Sequence, residues 1–296
     1  MRYVIEHDTR LVFAQPVREQ HCELRLVPSD TSAQRVHSAV VTVEPTAKLR
    51  RYTDYFGNSV EHGSVAAPHT QLLIHLQADV ETLLHNPFDY PIVPAAREAA
   101  WIAARLKAEP RLWDYVLYHS PATPDLTHCG PPPDSQWPRH DPERQLVDSV
   151  LAAAHWIAAT FELQPGDAEA PPLLERVIKA RAGDGSDLAH LLVALVRSWG
   201  FPARFVTGYR DPAYLTEDGS DPPPELPHAW AEVLVPGAGW RGCDPNTQLI
   251  VNDTYVVLAV GRDADDALPV RTTYTGADDG DTEVELRVVA QAGAAQ

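Results

Sequence analysis

The spacing of apolar residues changes twice along this 296-residue chain, and the order of those changes limits the fold. Up to about residue 86 the pattern favours strands. Arg2–Thr9 is rich in β-formers, Val41 and Val43 alternate with Thr42 and Glu44, and Leu72–Val80 alternates again. Phe56-Gly57-Asn58 marks a turn between two such runs. From Asp141 the period becomes helical: Leu146, Val150, Ile157 and Phe161 share one face, with Asp141-Pro142 as the expected start. A shorter helix is expected over Pro172–Ala182, and a third over Asp187–Trp199, stopped by Gly200 and Pro202. Beyond it, Ala203–Tyr209, Ala229–Val235, Gly239–Asp244, Tyr255–Val260 and Glu283–Val289 read as strands. Helices followed by antiparallel strands, behind an all-β start, give an α+β chain. The expected fold is an amino-terminal antiparallel β sandwich over 1–86 and a helix-on-sheet domain over 141–296.

The connection, 87–140, is mixed. Pro94–Lys107 reads as a helix with Pro in its first turn. Ser120–His140 holds six prolines and reads as a loop or linker.

Charge and cysteine content narrow the function classes. Lys+Arg is 24 against Asp+Glu 41, a net charge of −17, so nucleic acid and anionic membrane surfaces are not the expected partners. The start, MRYVIEHDTR, has no apolar core of a secretory signal, and the longest apolar run, Val150–Phe161, is shorter than the roughly 20 residues of a bilayer span. The expected location is the cytoplasm. Cys22, Cys129 and Cys243 are far apart and form no CxxC, which argues against a disulfide framework or a cysteine-rich zinc site. The 13 histidines include no HExxH or HxxxH, and no metal or cofactor is expected.

Four pieces between 183 and 245 stand in a telling order. They are Gly183 with Asp187, Ala189 and His190; Gly200-Phe201-Pro202-Ala203-Arg204; His228-Ala229-Trp230-Ala231-Glu232; and Gly239-Trp240-Arg241-Gly242-Cys243-Asp244-Pro245. Together they resemble the transglutaminase-like superfamily, a papain-like fold used for hydrolysis and acyl transfer. Arg51-Tyr52-Thr53-Asp54-Tyr55-Phe56-Gly57-Asn58 is similar to the β domain that precedes many bacterial members, and Tyr255–Arg271 looks like the family's closing strand and loop. Nothing comparable covers 87–140.

The resemblance implies a mechanism. A cysteine thiolate at a helix amino terminus attacks an amide or ester carbonyl, a histidine serves as base, and an aspartate orients it. By register His228 is the base and Asp244 the orienting acid. The nucleophile position falls on Gly185, which has no side chain. Ser186 takes the variable position after it; a register one residue on would make it the nucleophile, but a helical turn of about 100° aims it elsewhere, and its blander part is helix N-cap. Asp187 fixes the helix frame. Cys243 adjoins Asp244 on a strand, so it faces the opposite way, into the core. Cys129 lies in the proline-rich loop and Cys22 in the β domain. His190 reads as a satisfied core histidine, and Trp230 and Trp240 as core aromatics of the sheet. The acidic insert from Asp211 to Asp221 precedes His228 directly, which places it at the rim of the cleft.

Two functions follow. In one, the chain is a degenerate, non-catalytic member that binds a peptide or protein segment in the former active-site cleft. In the other, His228 and Asp244 act as general base on a small amide or ester substrate.

Overall fold

Alternation explains the first sheet. The structure, a computed structural model, describes residues 1–166, 173–211, 227–276 and 280–291. In β1 (Arg2–Leu24), Tyr3, Ile5, His7, Thr9, Leu11 and Phe13 are buried, while the residues between them face outward. The strand is irregular near Pro16, which has no N–H to give a ladder, and at Glu19, whose φ is 51°. Its two halves therefore serve different neighbours. With β2 (Gln34–Glu44), β3 (Arg50–Thr53), β4 (Ser59–Val65) and β5 (His69–Thr82), β1 forms an antiparallel sheet ordered β2-β5-β1-β4-β3. The turn before β4 uses Gly57 at φ 90° and Asp54, whose Oδ1 accepts the N–H groups of Phe56 and Asn58.

The helical part follows. Helix α1 (Ala95–Ala108) lies where the sequence places it, and α2 (Asp114–Leu117) is a single turn. Helix α3 (Leu146–Thr160) begins five residues after Asp141. Asp141 instead makes its own turn, accepting the Glu143 N–H, and the first helical N–H, that of Leu146, donates to the buried Glu98 carboxylate at 2.7 Å. After β6 (Glu162–Leu163) come α4 (Leu174–Ala180), β7 (Ala182–Gly183), parallel to β6, and α5 (Gly185–Ser198). Leu188, Leu191, Leu192, Val193, Leu195 and Val196 of α5 are all buried, the pattern of a central helix. It closes at Gly200, with φ 83°.

The second sheet is antiparallel: β8 (Ala203–Arg210), β9 (His228–Val235), β10 (Gly239–Asp244), β11 (Leu249–Ile250) and β12 (Tyr255–Gly261), in the order β11-β10-β9-β8-β12. Ala203, Ala231, Val233 and Cys243 of one face pack in the cluster that holds α5. Val206, Trp230 and Tyr255 of the other form a separate cluster, with Phe56 against it. The proline-rich stretch 120–140 has neither helix nor strand, but Ala122, Thr123 and Leu126 are buried, so it packs on the core rather than linking two bodies. Last, β13 (Val270–Thr275) and β14 (Asp281–Ala290) cross back to pair with the two halves of β1. The strand expected over Glu283–Val289 thus builds the first sheet. Among the described residues no helix is long and apolar enough to cross a membrane.

Candidate functional site

Gly185 is the first residue of α5. The N-cap is Asp184, not Ser186: the Asp184 carboxylate accepts the Asp187 N–H at 2.8 Å, and the Asp187 carboxylate accepts the Asp184 N–H at 3.3 Å. The helix starts two residues before Asp187, and this reciprocal pair at a spacing of three takes the cap from Ser186. Asp187 is buried, and burial together with the Asp184 charge pushes its carboxyl above the usual range, against the pull of Arg176 at 3.8 Å.

His228 opens β9 opposite Gly208, and Asp244 ends β10. His228 Nε2 lies 2.8 Å from Asp244 Oδ2. Burial would raise the Asp244 carboxyl, but the His228 hydrogen bond and charge, the Asn246 N–H at 2.9 Å and the Tyr255 hydroxyl at 2.9 Å outweigh it and hold it below the usual range. Arg210 stands 3.7 Å away. Asp244 is therefore ionised at neutral pH. A bond donated from Nε2 to this carboxylate leaves Nδ1 on the other side of the ring. The side chains of the pair are 12% and 0% exposed, so Asp244 is closed off and only the His228 side reaches solvent.

Trp230 is the floor beside this dyad, its ring near parallel to His228 at 6.2 Å and edge-on to Tyr255 at 5.4 Å. It lies across two glycines: a Cβ on Gly208 would collide with the indole, and one on Gly242 would come within 3.0 Å of its Nε1. At the far end of the same face, Arg204 pairs with Glu232 at 2.5 Å and stacks on Trp240 at 4.3 Å. Three of the four sequence pieces thus meet in one contact. Trp240 is covered by an arginine, whereas Trp230 is buried outright.

The three thiols stand apart from this arrangement. Cys243 is buried on the α5 side of the sheet, as strand alternation requires, and burial pushes its thiol up. Burial does the same to Cys22, up to about 11, and to Cys129, which packs against the helical core. His190 is a core residue. Its Nε2 accepts the Ala264 N–H at 3.0 Å, and its ring stacks on Phe205 at 4.3 Å. Most of the acidic insert lies outside the described residues.

The sequence did not single out Tyr255, Arg210 or Asn246. Tyr255 and Arg210 reach Asp244 from β12 and β8, strands that do not border β10, and neither stood in one of the four pieces. Asn246 had one available signal: it follows Asp244-Pro245, so a turn that brings Asp244 to α5 brings Asn246 too. A Cβ on Gly185 would stand 2.7 Å from Asn246 Nδ2.

Comparison with known proteins agrees with this frame. Residues 3–81 match the bacterial transglutaminase-like N-terminal region, and residues 138–245 match the transglutaminase-like superfamily. The stretch 138–245 is thus transglutaminase-like in sequence, and 3–81 is like the region that precedes that domain in bacteria. An uncharacterized protein of Mycobacterium leprae is 27% identical over 287 residues, covering 97% of this chain and 98% of that one. One from Mycobacterium tuberculosis is 28% identical over 304 residues, covering 97% and 92%. The crystal structure of a candidate cysteine protease from Cytophaga hutchinsonii shares the fold, with a TM-score of 0.67 at 20% identity over 99% of this chain and 92% of that one.

Proposed function

We propose that this chain is a non-catalytic transglutaminase-like protein that binds a peptide or protein segment at the former active-site cleft. One observation carries the reading: Gly185 opens α5 with no side chain to form an acyl intermediate. Loss of a triad nucleophile typically removes about 10⁶ in turnover. Cys22, Cys129 and Cys243 all have raised thiol pKa values, so none supplies a ready thiolate.

A groove runs along α4, apart from Gly185, His228 and Asp244. Its volume is about 880 Å³, and its lining includes Pro121, Pro124 and Leu173 as apolar contacts and Glu175, Arg176 and Lys179 as charged ones. Arg176 also approaches Asp187, which ties the groove to the first turn of α5.

The test is turnover. Purified protein incubated with a glutamine peptide plus an amine donor, and separately with activated amide and ester substrates, is expected to show no turnover that His228→Ala removes. The intact His228–Asp244 pair supports a second reading, general-base hydrolysis worth roughly 10²–10⁴ in rate. Turnover lost in both His228→Ala and Asp244→Asn would replace the first reading with the second.

A further inference from the structure

The space beside Gly185 is already filled. The three heavy atoms nearest to its ideal Cβ all belong to the Asn246 carboxamide: Nδ2 at 2.7 Å, Cγ at 3.7 Å and Oδ1 at 3.9 Å. Real Cβ atoms essentially never come within 3.0 Å of a neighbour, so a side chain at 185 makes the carboxamide shift, and because Nδ2 is the far end of a side chain that shift is a rotation of Asn246 rather than a backbone movement. Gly185 itself is not in the left-handed region, so its backbone would accept a side chain and only Asn246 stands in the way. The turn that carries the dyad's acid fixes the Asn246 backbone, whose N–H donates to Asp244 Oδ1 at 2.9 Å. Its own Oδ1 is shielded from solvent and has no hydrogen-bond partner among the described residues. A buried acceptor left unpaired costs about 1–3 kcal/mol, so this side chain is not placed there by its hydrogen bonding.

We propose that Asn246 is the residue that closes the nucleophile position. Its carboxamide stands where the side chain at 185 would stand, and the site's lack of thiol chemistry rests on two residues, Gly185 and Asn246. The inference deepens the non-catalytic reading and rests on it. A cysteine placed at 185 alone must displace the carboxamide, because the close approach is to Cβ itself and no χ1 rotation relieves it. With residue 246 also cut back, Sγ gains room at the amino end of α5, where the helix dipole lowers a thiol pKa, and the triple variant reads what the imidazole adds to it. Shortening Asn246 leaves its backbone N–H on Asp244 intact, so the dyad survives the change.

The experiment compares Gly185→Cys, Gly185→Cys/Asn246→Ala and Gly185→Cys/Asn246→Ala/His228→Ala. Each is alkylated with iodoacetamide near pH 6 and read by mass spectrometry at position 185. The double variant is expected to react about tenfold faster or more than the single one, the difference made by one unit of thiol pKa. The triple variant should lose that gain. A single variant as fast as the double, or a double variant whose thiol titrates near the ordinary ~8.5, overturns the proposal. Thermal melts accompany the labelling, and Asn246→Ser replaces Asn246→Ala if the latter fails to fold. The two proposals fail separately. His228-dependent turnover by the parent protein refutes the non-catalytic reading, while equal labelling of the single and double variants refutes only the closure by Asn246.

Discussion

His190 and His7 carry a pH dependence of stability. Burial is the largest cause in both, and it pushes each imidazole down to about 4. His7 sits between the Tyr209 hydroxyl at 2.8 Å and Thr9 Oγ1 at 3.0 Å. The unfolded chain protonates these histidines near ~6.5. Between that value and about 4 the unfolded state binds more protons, so stability falls as pH falls, and the loss levels off below 4. Each histidine is expected to account for about 2–3 kcal/mol of the loss between pH 7 and pH 4.5. Urea midpoints at the two pH values check this. His190→Gln should narrow the difference between them, whatever it does to stability at pH 7, and an unchanged difference would refute the assignment. His190 was legible as a core residue because it falls on the apolar α5. The closure of the Gly185 space was not legible, since it depends on one carboxamide reaching across a turn.

At the scale of elements, two side-chain amides do the work of a neighbouring strand. Gln34 Nε2 donates to the Val257 carbonyl at 2.8 Å, and its Oε1 accepts the Val257 N–H at 2.8 Å. Asn58 treats Val260 in the same way, at 2.8 Å in both directions. The edge of β12 is thereby satisfied by the first sheet without a continuous ladder. Gln34→Ala or Asn58→Ala would each leave a backbone N–H and carbonyl of β12 unpaired, at a cost of about 1–3 kcal/mol. The urea midpoint of either variant should drop accordingly, with the slope of the transition unchanged; a drop no larger than that of an exposed-site control such as Thr42→Ala would sink the argument. Phe56-Gly57-Asn58 announced a turn in the sequence, and the turn is there. That its asparagine docks 202 residues further along the chain lies outside any local pattern. The start of α3 was misplaced for the same reason, since its first N–H is met by Glu98, 48 residues earlier.

The molecule as a whole is bound together where composition suggested seams. Arg197 of α5 is buried and donates to the carbonyls of Tyr115, Tyr118, Ala203 and Arg262, which fastens the unrecognised 87–140 segment to the central helix. Burial lowers its pKa to about 10, so it keeps its charge at neutral pH. Across the other seam, Tyr209, Val256 and Leu258 of the second sheet lie in the same apolar cluster as Ile5, Leu24 and Leu76 of the first. Both chain ends meet on β1, through β13 and β14. Side chains of this kind contribute about 1.5–3 kcal/mol each when buried. Exposing Tyr209, Val256 and Leu258 together would therefore take away an amount comparable to the roughly 5–15 kcal/mol that keeps an ordinary protein folded. A fragment of residues 87–296 would also lose Gln34, Asn58 and the partner of β13 and β14. It is expected to show no cooperative thermal transition by circular dichroism, while the full chain melts in a single calorimetric step whose calorimetric and van't Hoff enthalpies agree. Two separate transitions in the full chain, or a well-dispersed NMR spectrum from the fragment, would show that the amino-terminal sheet and the transglutaminase-like core fold independently despite their shared cluster.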